Sequence, residues 1–162
     1  MNVTPPLRLL LRAGLTTGIV DGLFSSLLAA VFYRSTVSRL WQGVASVPLG
    51  AAALDGGART VAIGLLIHFG VAFGWSAVFL GLTLALSWIR DALESPFGVL
   101  GLAAVYGPLI WIVMSLVVVP QLTHRPALIN ARWWIQFVGH VPFVALPIVA
   151  TFARVSARSL RL

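Results

Sequence analysis

The sequence predicts an all-α fold: an integral membrane four-helix bundle with a short interfacial or re-entrant helix between spans one and two. Three observations predict it. Hydrophobic residues make up 59% of the chain and charged residues only 9%, with a mean hydropathy of +0.99; a soluble domain is about half apolar and about a quarter charged. Four apolar runs reach the roughly 20 residues that a bilayer demands. The Arg residues cluster at the ends of those runs, where Arg8, Arg12, Arg34, Arg39, Arg59, Arg90, Arg132 and Arg154 read as interfacial anchors and headgroup contacts.

The 162 residues form one transmembrane domain, 1–162. The first span covers roughly residues 13–33 and holds a single acid, Asp21. Its basic approach and long apolar run suggest an uncleaved helix that serves as its own insertion signal. The second span covers roughly 60–88, longer than the bilayer needs, so it tilts or protrudes. The third covers roughly 97–120 and the fourth roughly 133–152. The polar link IRDALESP makes the second and third spans antiparallel neighbours, and the basic tail RVSARSLRL is expected on the headgroups.

Residues 40–54 between the first two spans are too few to cross and too apolar for a solvated loop. Gly43, Ala45, Ser46, Gly50 and the alanines 51–53 suit close packing on other helices. A short half-buried helix followed by the turn Asp55-Gly56-Gly57 is the expected form.

The formal net charge is +7, carried by Arg without a single Lys, which hints at a GC-rich bacterial genome. No basic patch with interleaved aromatics lies off the spans, so nucleic acid is not an expected partner; the bilayer is, with a homo-oligomer or a larger membrane assembly beside it. Arg8, Arg12, Arg90, Arg154, Arg158 and Arg161 fall on one side, and Arg34, Arg39, Arg59, Arg125 and Arg132 on the other. That near balance leaves the terminal segments to favour an N-in, C-in orientation.

The absence of Cys removes disulfide, thiolate and iron–sulfur chemistry. No nucleophile elbow, HExxH or phosphate loop occurs, and the acids outside the first span, Asp55, Asp91 and Glu94, are in loops. No catalytic residue is therefore expected, no metal centre and no resident cofactor, and the chain leans away from an enzyme.

What remains is polar chemistry inside the membrane. A central Asp costs roughly 2.5–3.5 kcal/mol to insert, so it faces inward. Asp21, His68, Tyr106 and His140 are the candidate intramembrane polar site, with Gln136 and Ser76 as lesser partners. Counting about 1.5 Å per residue places His68 and His140 at matched depth, with Asp21 and Tyr106 several ångströms deeper. The alternative is that these groups only fix helix register. Arg59 to His68 and Arg132 to His140 also form a faint parallel repeat. Pro108, Pro142 and Pro147 break the helical hydrogen-bond ladder within spans, the second of them beside His140. Trp41, Trp88, Trp133 and Trp134 fall near span ends as an aromatic belt, and Trp75 and Trp111 lie deeper.

A resemblance to a known group is carried by Asp21, LWQGVASVPLG from Leu40 to Gly50, and DGG from Asp55 with the following His68. YGPLIWIVMSLVVVP from Tyr106 to Pro120 and GHVPFVALPIV from Gly139 to Val149 continue it. Through these segments the chain resembles an uncharacterised group of small four-span bacterial inner-membrane proteins. The resemblance covers most of the chain; it implies a multi-pass protein of the inner (cytoplasmic) membrane and implies no activity.

Three functional readings follow. The leading one is a non-enzymatic structural or interaction component. The alternative is a proton-linked or small-solute transporter or channel using Asp21, His68 and His140. The third is a redox subunit that binds haem b or a quinone, with the two His as axial ligands. A dry bundle favours the first and a polar cavity the second.

Overall fold

The structure, a computed structural model, describes residues 5–153, and no strand occurs among them. Helix α1, Pro5–Leu27, continues through a π-helical turn, Leu28–Phe32. Helix α2, Val37–Leu49, and a 3₁₀ turn, Ala51–Asp55, lead into α3, Gly57–Ala85. A short α4, Ser87–Ala92, precedes α5, Pro96–Ile112, which runs through a π turn, Val113–Val118, into α6, Val119–Thr123. Helix α7, Ala131–His140, passes through a π turn, Val141–Ala145, into α8, Leu146–Ala153. Four continuous helices are long and apolar enough to cross a membrane: Pro6–Phe32, Gly57–Ala85, Pro96–Thr123 and Ala131–Ala153. The tail from Arg154 to Leu162, expected on the headgroups, lies outside the described residues.

Local chemistry sets the helix ends. Thr36, Ser95 and Asn130 accept backbone N–H bonds from Arg39, Gly98 and Trp133 and so cap α2, α5 and α7. At the far end of α3, Leu86 turns extended, and the Arg90 guanidinium donates to the carbonyls of Thr83 and Leu84 at 2.8 and 3.1 Å. A cation on the last carbonyls also complements the helix dipole. The link expected as a loop thus contains α4, and the second span ends at Ala85, short of residue 88.

The first span shows how the chain is turned inside out relative to a soluble protein. Leu7, Leu11, Leu15, Ile19, Leu23, Leu27 and Val31 recur every fourth residue and are all exposed, which suits lipid contact. The opposite stripe reads Leu9, Ala13, Thr17, Asp21 and Ser25; its first three members are buried and the last two half-buried. Small and polar residues face the bundle, as membrane helix contacts favour.

The bundle has two unlike halves. Around the start of the first span, Leu9 and Ala13 share a closed apolar core with Phe79, Tyr106, Ile148 and Phe152. At the other end α2 is wedged between helices. Trp41 is buried, and Gly64 in α3 sits so close to the Trp41 backbone carbonyl that a Cβ there would overlap it. The 3₁₀ turn folds back along α2, and Arg39 donates to the Leu54 carbonyl at 2.9 Å with the Asp55 carboxylate 3.5 Å away. Trp41 and Trp133 are therefore not belt residues: both are buried, and the Trp133 indole donates to Ser115 Oγ at 3.0 Å. Trp88 and Trp134 are exposed.

Ala45 is fully buried under α2, whereas Ala52, in the turn, is exposed. A Cys at position 45 should react with a bulky water-soluble maleimide about tenfold or more slowly than one at position 52, since labelling needs local opening. Equal rates would mean that α2 is not seated.

Candidate functional site

Side chains from all four spans and from α2 line a partly open chamber of about 600 Å³. Thr17, Asp21 and Ser25 enter from the first span, His68 from the second, and Gln136 and His140 from the fourth. Apolar walls complete it, with Trp75 from α3, Trp111 from α5, and Trp41, Val44 and Pro48 from α2. A volume of this size, mostly apolar with a few convergent polar groups, has the make-up of a small-molecule pocket.

Asp21 and His68 meet across antiparallel helices. His68 Nδ1 is 3.8 Å from Asp21 Oδ2, and the two side chains are only 13% and 16% exposed. The sequence-based depth had Asp21 several ångströms below His68. It omitted Gly57 to Arg59 from the helix; those residues lengthen α3 toward its start and lower His68 to the level of Asp21.

Backbone carbonyls set the tautomers of both imidazoles. A carbonyl only accepts, so the His68 nitrogen 2.9 Å from the Gly18 carbonyl, Nε2, carries its proton. By the same reasoning His140 Nδ1 donates to the Gln136 carbonyl at 2.7 Å. The remaining nitrogens, His68 Nδ1 and His140 Nε2, are lone-pair acceptors when neutral. An indole flanks each ring: Trp41 lies 5.0 Å from His68 and Trp111 4.8 Å from His140, centroid to centroid.

His140 owes its place to two local features. It ends the α-helical part of the fourth span, and the π turn that follows contains Pro142, whose missing N–H interrupts the ladder. On the facing helix, Gly107 brings α5 against the backbone of His140; a Cβ there would lie 2.6 Å from the His140 carbonyl oxygen.

Several residues that line the chamber hold unpaired polar atoms. Thr17 Oγ1, Asp21 Oδ1, Trp111 Nε1 and Gln136 Oε1 are buried without a hydrogen-bond partner, and all four residues line it. A buried unpaired polar atom costs about 1–3 kcal/mol, so four around one space form a feature that needs a cause. An adjoining crevice of about 430 Å³ shares Trp111 and Gln136 with the chamber and is lined by Tyr33, Arg125 and Arg132, the last over the Tyr33 ring at 4.5 Å.

Of the four residues expected to form one polar region, three meet. Tyr106 does not line the chamber: its hydroxyl donates to the Trp75 carbonyl at 2.7 Å, and its ring packs on Phe79 in the closed core. Depth along a helix carries no information about which face a residue occupies. Ser76 is also elsewhere, bonded to the Ala72 carbonyl of its own helix. Thr17, Ser25 and Trp111 join the site without having been expected in it. The first two were traceable, since they lie four residues either side of Asp21 on one helical face. His124 is exposed in the loop after α6. No group of three or more His, Cys, Asp or Glu able to hold a metal ion occurs among the described residues.

Two substitutions test this geometry through the melting temperature in detergent. Thr17→Val removes an unpaired hydroxyl at nearly constant shape, so stability should change by less than about 1 kcal/mol; a larger loss would give that hydroxyl a structural partner. Gly107→Ala should lower stability by about 1–3 kcal/mol through overpacking, and an unchanged melting temperature would contradict the close helix contact.

No protein-family model, curated protein or solved structure matches the chain.

Proposed function

We propose that the chain is a multi-pass protein of the bacterial inner membrane, N-in and C-in, that binds a small, largely apolar solute inside its bundle and carries it in linkage with protons. The observation that supports this reading is a chamber with Asp21, His68 and His140 in its wall, four of whose lining residues, Thr17, Asp21, Trp111 and Gln136, each hold a buried polar atom without a partner. A purely structural bundle gains stability from a dry, filled interior. Here the space is open, and its polar atoms are left without partners.

The proton linkage follows from the acceptors. Asp21 Oδ2 and His68 Nδ1 face each other at 3.8 Å. With Nε2 of His68 committed to Gly18, two lone pairs oppose one another unless a proton is held on one of them. His140 Nε2 offers a third acceptor in the same chamber. One proton shared within this group neutralises the carboxylate, and exchange of that proton couples the site to pH. Haem ligation by the two His has less support, because the free nitrogen of His68 faces Asp21.

The test combines binding and flux. Ala72 is buried and lines the chamber, so Ala72→Leu fills it. In a thermal-shift panel of small apolar amines, alcohols and acids, at least one compound should raise the wild-type melting temperature and fail to do so for Ala72→Leu. In liposomes containing a pH dye, a gradient of that compound should move protons with wild type and not with Asp21→Asn. A panel without a single chamber-dependent shift would return the chain to a structural role.

A further inference from the structure

We infer that the solute of this chamber is a lipophilic monocation bearing N–H donors, a protonated amine on an aromatic or branched apolar body, and that it exchanges with the proton held at Asp21. This assignment rests on the carrier reading above and names its substrate class.

Charge comes first. Asp21 is the only acid inside a spanning helix, and no Arg belongs to the chamber lining. A carboxylate in a low-dielectric interior without a fixed counter-ion is strongly disfavoured. It demands one unit of positive charge, which either a proton or a cationic guest supplies. The titratable neighbours are His68 from α3 and His140 from the fourth span; α2 and the third span contribute none to the lining. Arg125 and Arg132 are confined to the adjoining crevice and add no positive charge to the chamber wall.

Hydrogen-bond polarity points the same way. With both tautomers set by backbone carbonyls, the titratable cluster presents only acceptors: the two Asp21 oxygens, His68 Nδ1 and His140 Nε2. Of the four unpaired atoms on lining residues, Asp21 Oδ1 and Gln136 Oε1 accept, the Thr17 hydroxyl can accept or donate, and only the Trp111 N–H is purely a donor. An ammonium group brings two or three N–H donors and no acceptor, which complements that set. A carboxylate guest would bring a second negative charge and further lone pairs, and an alcohol supplies a single donor.

The walls suit the rest of the molecule. Trp41, Trp75 and Trp111 line the chamber, and indole faces attract organic cations as well as apolar groups. The volume of about 600 Å³ accommodates an arylalkyl body beside the charged end.

The exchange balances. The ammonium enters against Asp21 while the proton shared by Asp21 with His68 or His140 leaves to water; no covalent bond other than that to the transferred proton is made or broken, and the chamber keeps its net charge. The linkage is therefore one proton out for one monocation in.

A matched set of probes tests the assignment with wild-type protein in nanodiscs of zwitterionic lipid: 4-phenylbutylamine, cationic at neutral pH, 4-phenylbutanol and 4-phenylbutyrate. Binding is read from indole fluorescence against empty nanodiscs, and proton release from the dependence of calorimetric heat on buffer ionisation enthalpy. The amine should bind about tenfold or more tightly than the alcohol, the scale of a charge-assisted hydrogen bond, and release about one proton. Asp21→Asn should erase both the preference and the release. Equal binding of amine and alcohol without proton release would overturn the cation assignment while the chamber stays a solute site. No chamber response to any of the three would remove the assignment and the carrier reading together.

Discussion

A lone carboxylate inside a bundle without a fixed cation to neutralise it is the constraint around which this protein is arranged. Among the described residues every Arg lies near a helix end or in a connecting segment, and none lines the chamber that holds Asp21. The Arg that does reach inward, Arg90, caps the end of α3 instead. The carboxylate is left with His68 at 3.8 Å and His140 across the same space, two groups that are neutral or cationic according to one proton. The carbonyls of Gly18 and Gln136 then decide which nitrogen of each ring can take that proton. On the proposed reading, charge balance in the interior is a variable that a proton or a guest adjusts, rather than one fixed by a permanent ion pair.

Backbone packing holds this arrangement open. Small residues let two helix pairs approach to van der Waals contact: Gly64 meets the carbonyl of Trp41, and Gly107 meets the backbone of His140. The first contact wedges α2 against α3 and makes it a wall of the chamber; the second sets the height of His140. The opposite half of the bundle holds no comparable polar space; its crevice of about 450 Å³ has an apolar lining that includes Leu82, Leu86 and Leu102. There Phe79, Tyr106, Ile148 and Phe152 close the core, and the Tyr106 hydroxyl is satisfied by the Trp75 carbonyl while the Trp75 side chain lines the chamber. One half supplies rigidity and the other the polar space.

Much of the fold was legible because a bilayer leaves few alternatives. Segments with apolar runs of spanning length and almost no charge have to be helices that satisfy their own backbone. The small, apolar stretch after the first span was recognisable in part as a packed element: Ala45 and Ala53 are buried, whereas Gly50, Ala51 and Ala52 are exposed and a Cβ at Gly43 would meet open space. The site was half legible. Asp21, His68 and His140 stand out as ionisable residues inside spans, where such groups are expensive. Tyr106 was misplaced because rise per residue gives depth and not azimuth. The level of Asp21 relative to His68 was misjudged because Gly56-Gly57 reads as a turn, yet α3 begins at Gly57. The unpaired indole of Trp111 left no trace in the sequence: whether a Trp in a span finds a partner depends on its neighbours in space, as the contrast with Trp133 on Ser115 makes plain.

The claim on which the account depends is that Asp21 and His68 form one proton-holding unit with committed tautomers. Nitrogen-15 solid-state NMR of the protein in lipid bilayers, with histidine labelled and His124 replaced to simplify the spectrum, reads this directly. The account predicts that neutral His68 is protonated at Nε2 and neutral His140 at Nδ1, and that Asp21→Asn alters the His68 Nδ1 resonance while His140 keeps its hydrogen bond to Gln136. The opposite tautomer at His68, or a His68 Nδ1 signal unaffected by loss of the carboxylate, would contradict it.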